Sequence, residues 1–218
     1  MVASRVFSAS QMEKLRDQPG WKQPTIVPDG VLMVLFPRKL PDFGKTDEEA
    51  HRYTAIFEKY LQLVFKTIEN NDGNHLILSM DGVLGFWNIP LREEGSTVKA
   101  FAAAKECLSL VGEWQRYIDA QYGKEKTGSY TASFDICLHL CECYAGCIGA
   151  GNSANYSLSG YGLNVAIEAA MFQTQDRLNT LALTGPFLER LRGETDTGSE
   201  TFEETEFEHH TLYRWKER

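Results

Sequence analysis

Four side chains with metal-ligand chemistry stand at alternate positions of one apolar run: Cys137, His139, Cys141 and Cys143. Their types suit zinc, and in an extended strand all four share one face. The spacing counts against a single tetrahedral ion. At about 3.3 Å per residue the outer pair is about 20 Å apart, whereas zinc bonds are about 2.0–2.3 Å long. A two-ligand site shared with a dimer mate is the minor alternative. The plainer reading is small, soft residues packed under a helix.

The other chemistry-bearing residues are charges and one amide. Arg38 and Lys39 follow an apolar strand and read as solvated loop charges. Asp81 precedes Gly82, a pair favoured in hairpin turns on backbone grounds alone. Asn164 and Glu168 are one helical turn apart and therefore share a helix face. The segment 194–208 is acidic and reads as a solvated loop.

These residues must be positioned by elements that the hydrophobic pattern marks out. Residues 1–29 look peripheral, with Ser10-Gln-Met-Glu13 as a capping box that opens a short helix. Val31 to Phe36 is an unbroken apolar run bounded by Gly30 and Pro37, as a strand buried on both faces requires. Thr46-Asp-Glu-Glu49 is a second capping box. After it Tyr53, Ile56, Phe57, Tyr60, Leu61, Val64 and Ile68 recur at helical spacing up to Asn71-Asp-Gly73. His75 to Trp87 gives two short strands around Asp81-Gly82, ended by Asn88-Ile-Pro90. Val98 to Ile118 reads as one long amphipathic helix. Residues 132–148 form a strand, 162–174 a helix and 180–184 a short strand, and Pro186 starts another helix. Residues 193–208 follow as loop and 207–215 as a last edge strand. The order β-α-β-β-α-β with later additions is the ferredoxin-like split βαβ plan, an α+β fold. Residues 1–29 read as an N-terminal extension and 30–218 as one domain.

Bulk properties narrow the function classes. The chain has 218 residues, 43% apolar and 24% charged, with a net charge of −8. That balance argues against a general nucleic-acid binder. No apolar run reaches the ~18 residues of a membrane span, and no signal-peptide pattern stands at the N-terminus. Five cysteines, an odd number with four crowded together, do not form a disulfide framework. A reducing cytoplasm is the expected location.

Three segments, in order and at the right separations, resemble the catalytic domain of class III adenylyl and guanylyl cyclases. Met80-Asp-Gly-Val-Leu-Gly-Phe-Trp-Asn-Ile-Pro90 is similar to the family's Gly-Asp hairpin. Leu138-His-Leu-Cys-Glu142 with Gly146-Cys-Ile-Gly149 is similar to its central strand and small-residue turn. Tyr156 to Asn164 is similar to the Tyr-rich strand and Gly turn before the catalytic helix. The resemblance covers roughly 30–216. It implies two domains packed head to tail, a nucleoside triphosphate between them, and two aspartates holding Mg²⁺ or Mn²⁺. It also implies base-selecting residues, an Asn and an Arg.

Carried over residue by residue, the implied inventory is broken. Asp81 matches the second metal aspartate, and Arg38 stands at the first. Ile77 and Ser157 stand at the base-selecting positions. Asn164 is retained, and Glu168 replaces the transition-state arginine. A cation repels Mg²⁺ at one point and an anion repels the triphosphate at another. Losing one preorganised group of this kind costs about 10²–10³ in rate. The resemblance thus implies a degenerate cyclase domain with little or no activity alone. Such a domain would be a homodimer or a heterodimer with another cyclase-type domain, and would act in regulation or nucleotide sensing. Arg38 as a fixed cation in place of a metal ion is the bolder version. The alternatives are an active cyclase with unusual site chemistry, a half-enzyme completed by a partner chain, and a protein-interaction domain that binds no nucleotide.

Overall fold

Strand β1 (Thr25–Pro37) is the axis of an eight-stranded sheet. Val31 to Leu35 are buried on both faces, as the unbroken apolar run demands. β3 (Val83–Trp87) and β4 (Phe134–Ile148) flank β1, both antiparallel to it. β2 (Asn74–Ile77) closes a hairpin with β3. The resulting order β2-β3-β1-β4, antiparallel throughout, is the expected split βαβ core. Beyond it lie β6 (Thr180–Thr184), parallel to the first half of β4, then β8 (His210–Lys216) and β7 (Thr201–Phe207). β5 (Asn155–Ser159) pairs with the second half of β4.

This computed structural model describes residues 6–7, 9–18, 20–38, 46–78, 81–123, 127, 130–149, 155–172 and 178–216. Lys39, Met80 and the end of the helix expected over 162–174 lie outside the described residues.

The alternation of side chains along the strands builds two cores. One face of the sheet (Met33, Leu35, Phe134, Ile136, Leu138) packs under α2 (Asp47–Asn70), α3 (Ser96–Ser109), α4 (Val111–Tyr122) and α6 (Gly185–Glu194). The other face (Leu32, Val34, Cys137, Cys143) packs under α5 (Tyr161–Phe172). The capping box of α2 forms as expected, with the Thr46 hydroxyl accepting from the Glu49 amide.

Three sequence expectations are corrected. The helix expected over 98–118 is two helices that meet at Leu110, two residues before Gly112. Both halves keep their apolar stripe on one core, through Ala104 and Cys107 on α3 and Trp114 and Ile118 on α4. The segment read as a solvated loop contains β7, so β8 is an inner strand and β7 the edge. Glu203, Glu204 and Glu206 are charges of a kind that protects an edge, and Lys216 pairs with Glu203. The segment before β1 is packed, not peripheral. Val6, Phe7 and Leu15, the last from α1 (Ala9–Arg16), are buried in the α5-side core. Phe7 stands edge-on to Tyr156 with centroids 4.7 Å apart, and the His75 amide donates to the Val6 carbonyl at 3.1 Å.

Candidate functional site

The sheet register sets Arg38 beside the start of β4, because Pro37 pairs with Phe134. The Arg38 amide donates to the Ser133 carbonyl at 2.8 Å. Its guanidinium makes a two-pronged contact with Asp135, Nε to Oδ2 at 2.8 Å and an Nη to Oδ1 at 2.9 Å. The side chains are 11% and 1% exposed, so this is a buried ion pair. Asp135 also accepts from the Thr180 hydroxyl of β6 at 2.6 Å. The reading of Arg38 as a solvated loop charge is therefore corrected: the planar fork is committed to a carboxylate.

Asp81 sits in the turn between β2 and β3 in a left-handed conformation, φ 66°. A side chain at Gly82 would meet the Phe36 ring at 2.4 Å, so the turn lies directly against the end of β1. The Asp81 carboxylate accepts from the Tyr53 hydroxyl at 2.8 Å, and its carbonyl accepts from the Tyr60 hydroxyl at 3.2 Å. Burial, then the bond to Asp81, push the Tyr53 hydroxyl up to about 12. Tyr53 therefore stays protonated and donates throughout the neutral range. Ile77, four residues before Asp81, ends β2 with its side chain 57% exposed.

The remaining predicted residues lie elsewhere on the chain. Ser157 is central in β5 opposite Gly146, its hydroxyl donating to the Asn155 carbonyl at 3.4 Å. Asn164 and Glu168 occupy one exposed face of α5 together with Tyr161, Met171 and Phe172. The buried face of that helix combines Gly162, Ala166, Ala169 and Ala170 with Leu163 and Val165. Gly162 is packed on Cys141, whereas Arg38 is bonded to Asp135. Those two anchor points are six residues apart on β4, about 20 Å of strand. One chain thus gathers Arg38, Ile77 and Asp81 near one end of the sheet and leaves Asn164 distant from Arg38.

Sequence reasoning missed Asp135, Thr180 and Tyr53. Asp135 carried a signal, as the one charge inside the apolar run 134–138. Tyr53 carried none, since it fits the apolar stripe of α2.

The donors present do not fit a two-metal centre. At that end of the sheet one carboxylate is neutralised by Arg38 and the other is held by Tyr53. Among the described residues no three His, Cys, Asp or Glu side chains converge to hold an ion. Cys137, Cys141 and Cys143 lie under α5, as packing residues should.

No family model and no curated protein matches the chain. Solved structures do match it. The guanylyl cyclase Cya2 superposes with a TM-score of 0.68 at 14% identity, over 88% of this chain and 92% of the other. The dimeric guanylyl cyclase domain of the RhoGC fusion protein from the aquatic fungus Blastocladiella emersonii gives 0.65 at 10%, over 89% and 97%. The adenylyl cyclase CyaB from P. aeruginosa gives 0.62 at 12%, over 90% and 97%. Across most of its length the chain has the fold of class III nucleotide cyclase catalytic domains.

Proposed function

We propose that this chain is a catalytically silent cyclase-type domain that pairs with a second such domain and serves regulation or nucleotide sensing. The carrying observation is the buried Arg38–Asp135 pair at the position where a cyclase of this fold needs a metal-binding carboxylate. A bound Mg²⁺ or Mn²⁺ would have to displace Tyr53 from Asp81 and would sit beside a guanidinium. Glu168, exposed one turn after Asn164, adds an anion where a triphosphate would need a cation. Mg²⁺ and Mn²⁺ are therefore unpromising cofactors.

Pairing is supported by the exposed apolar residues around Asn164 and Glu168. Tyr161 is 72% exposed, and Met171 and Phe172 flank the same helix face. Among the described residues no helix is long and apolar enough to cross a membrane, and all five cysteines are free thiols. Both facts agree with a cytoplasmic setting.

The test is product formation by purified protein. ATP, GTP, CTP and UTP are each offered with Mg²⁺ or Mn²⁺, and no cyclic nucleotide is expected. Turnover at ordinary cyclase rates would sink the proposal. Exposed Asn164 and the retained Asp81 favour one rival, an active domain with unusual chemistry. That rival predicts a product that Asp81→Ala abolishes.

A further inference from the structure

The chain ahead of β1 lies across the sheet as a strap, and its contacts fall on four strands. Phe7 stands edge-on to Tyr156 of β5 and to Phe86 of β3, with centroids 4.7 and 6.2 Å apart. Trp21 stands edge-on to Phe7 at 5.4 Å. The Val6 carbonyl accepts from the His75 amide of β2 at 3.1 Å, and the Lys22 carbonyl from the Cys147 amide of β4 at 2.8 Å. From α1, the Gln11 amide nitrogen and the Lys14 ammonium donate to one oxygen of Glu93, at 2.9 and 2.7 Å.

The strap is slight beside the core it covers. Its helix has eight residues, short of the ~12–15 at which an isolated helix holds in water. Among its described residues only Val6, Phe7, Gln11 and Leu15 are buried. The Lys14 side of the pair with Glu93 is half exposed, so salt screens it. Beneath the strap, hydrogen bonding is incomplete. The Tyr156 hydroxyl and the side-chain carbonyl of Asn74 are buried, and neither has a protein partner among the described residues. Both flank Phe86. The Tyr156 ring is stacked on it with centroids 6.5 Å apart, and Asn74 faces it in the β2–β3 register, which puts both side chains on one face. Unpaired buried polar groups penalise the closed arrangement. A segment with few buried apolar contacts belongs to the low-stability end of a structure and opens below global unfolding.

We propose that the segment 6–22 is a releasable strap, which opens as one unit while the sheet stays folded and uncovers Phe86, Tyr156 and Asn74. Closed, it keeps an aromatic floor and two hydrogen-bonding groups from solvent. Open, it presents the floor and hands the Tyr156 hydroxyl and the Asn74 carbonyl to water. Glu93 is the polar anchor of the closed state, and the Phe7 ring is its apolar wedge. The device belongs to this chain alone and stands whether or not the domain is a silent cyclase.

Hydrogen exchange of the full chain, followed amide by amide by NMR, tests this. The amides of Leu15, Gln18, His75 and Cys147 should share one protection factor, at least about 100-fold below those of residues 32–35 in β1. His75 and Cys147 lie on different strands, so a common opening points to the strap that both bond. Lys14→Ala removes an exposed ion-pair partner and should speed all four about two- to fivefold with residues 32–35 unchanged. Phe7→Ala should speed the four by more than about tenfold, again without moving residues 32–35. Exchange of the four in step with β1, in the parent or in either variant, would show a fixed part of the core and overturn the proposal. Unequal rates, with His75 and Cys147 untouched by both variants, would show residue-by-residue fraying and overturn it equally. No readout uses nucleotide, so failure here and failure of the silent-cyclase reading are separately visible.

Discussion

At the scale of single residues, the Arg38–Asp135 pair places two opposite charges inside the sheet end, each compensated by the other. Removing one partner leaves the second uncompensated in a poorly solvated place. Arg38→Met should therefore destabilise the protein by about 3–5 kcal/mol, while Arg38→Met with Asp135→Leu recovers most of that. Denaturant midpoints of the two single variants and the double variant test this, and additive losses would contradict a coupled pair. The identity of Arg38 was legible in the sequence and its partner was not, because a register across 97 residues brings Asp135 to it. His139 makes a second prediction. Burial, helped by His210, holds its pKa down to about 4, while its Nδ1 meets the Thr184 hydroxyl at 2.9 Å. The unfolded chain binds a proton below about pH 6.5 that the folded chain refuses until about pH 4. Stability from this group is thus full above pH 6.5, falls as pH drops through that window, and levels off below it. The total is on the order of 3 kcal/mol. In urea titrations from pH 7.5 to 4.5, His139→Gln should show a shallower loss than the parent; equal slopes would contradict the assignment.

At the scale of elements, the first turn of α5 comes close to the sheet because Gly162 has no side chain. Gly162→Ala should drive a methyl into Cys141, at a cost of about 1–3 kcal/mol of overpacking. Gly193, exposed near the end of α6 with open space around it, is the matched control. Gly193→Ala should raise stability by about 0.4–1 kcal/mol, since only unfolded-chain freedom is lost. Urea midpoints of the two variants should move in opposite directions, and a common direction would mean that α5 does not need the close approach. Local pattern explains which elements were legible. The unbroken run of β1, the alternation of β4 and the capping box of α2 are dictated by neighbours in sequence. The bend at Leu110 is dictated by the shape of the core that Trp114 and Cys107 share, and β7 by pairing with β8. The packing of Phe7 on Tyr156 spans most of the chain. Gly112 is the one local hint of the bend, and the other two leave none.

At the scale of the whole molecule, the polar positions that a cyclase of this fold would use do not converge within one chain. Asp81 and Arg38 both lie toward one end of the sheet, and Asn164 stands on a helix anchored about 20 Å along β4 from the Arg38 contact. A site built from both groups needs two domains. The surface around Asn164 is suited to a partner, since Tyr161, Met171 and Phe172 expose apolar area on the face that carries Asn164 and Glu168. Tyr144 and Ile148 add exposed apolar side chains on the half of β4 that pairs with β5. Large exposed apolar patches are rare on monomers, and these side chains are candidates for a partner contact. The net charge of −8 opposes self-association over long range, so added salt should strengthen pairing. Sedimentation velocity at micromolar concentration should show a dimer that tightens as salt is raised. Tyr161→Asp with Phe172→Asp should yield a monomer with a somewhat lower melting temperature, because the Phe172 ring packs on buried Phe207 with centroids 4.7 Å apart. If the parent is monomeric at every concentration and salt tested, homodimer formation is wrong and a different cyclase-type domain is the partner to seek. If the double variant still dimerises, the contact lies elsewhere and this helix face has some other use.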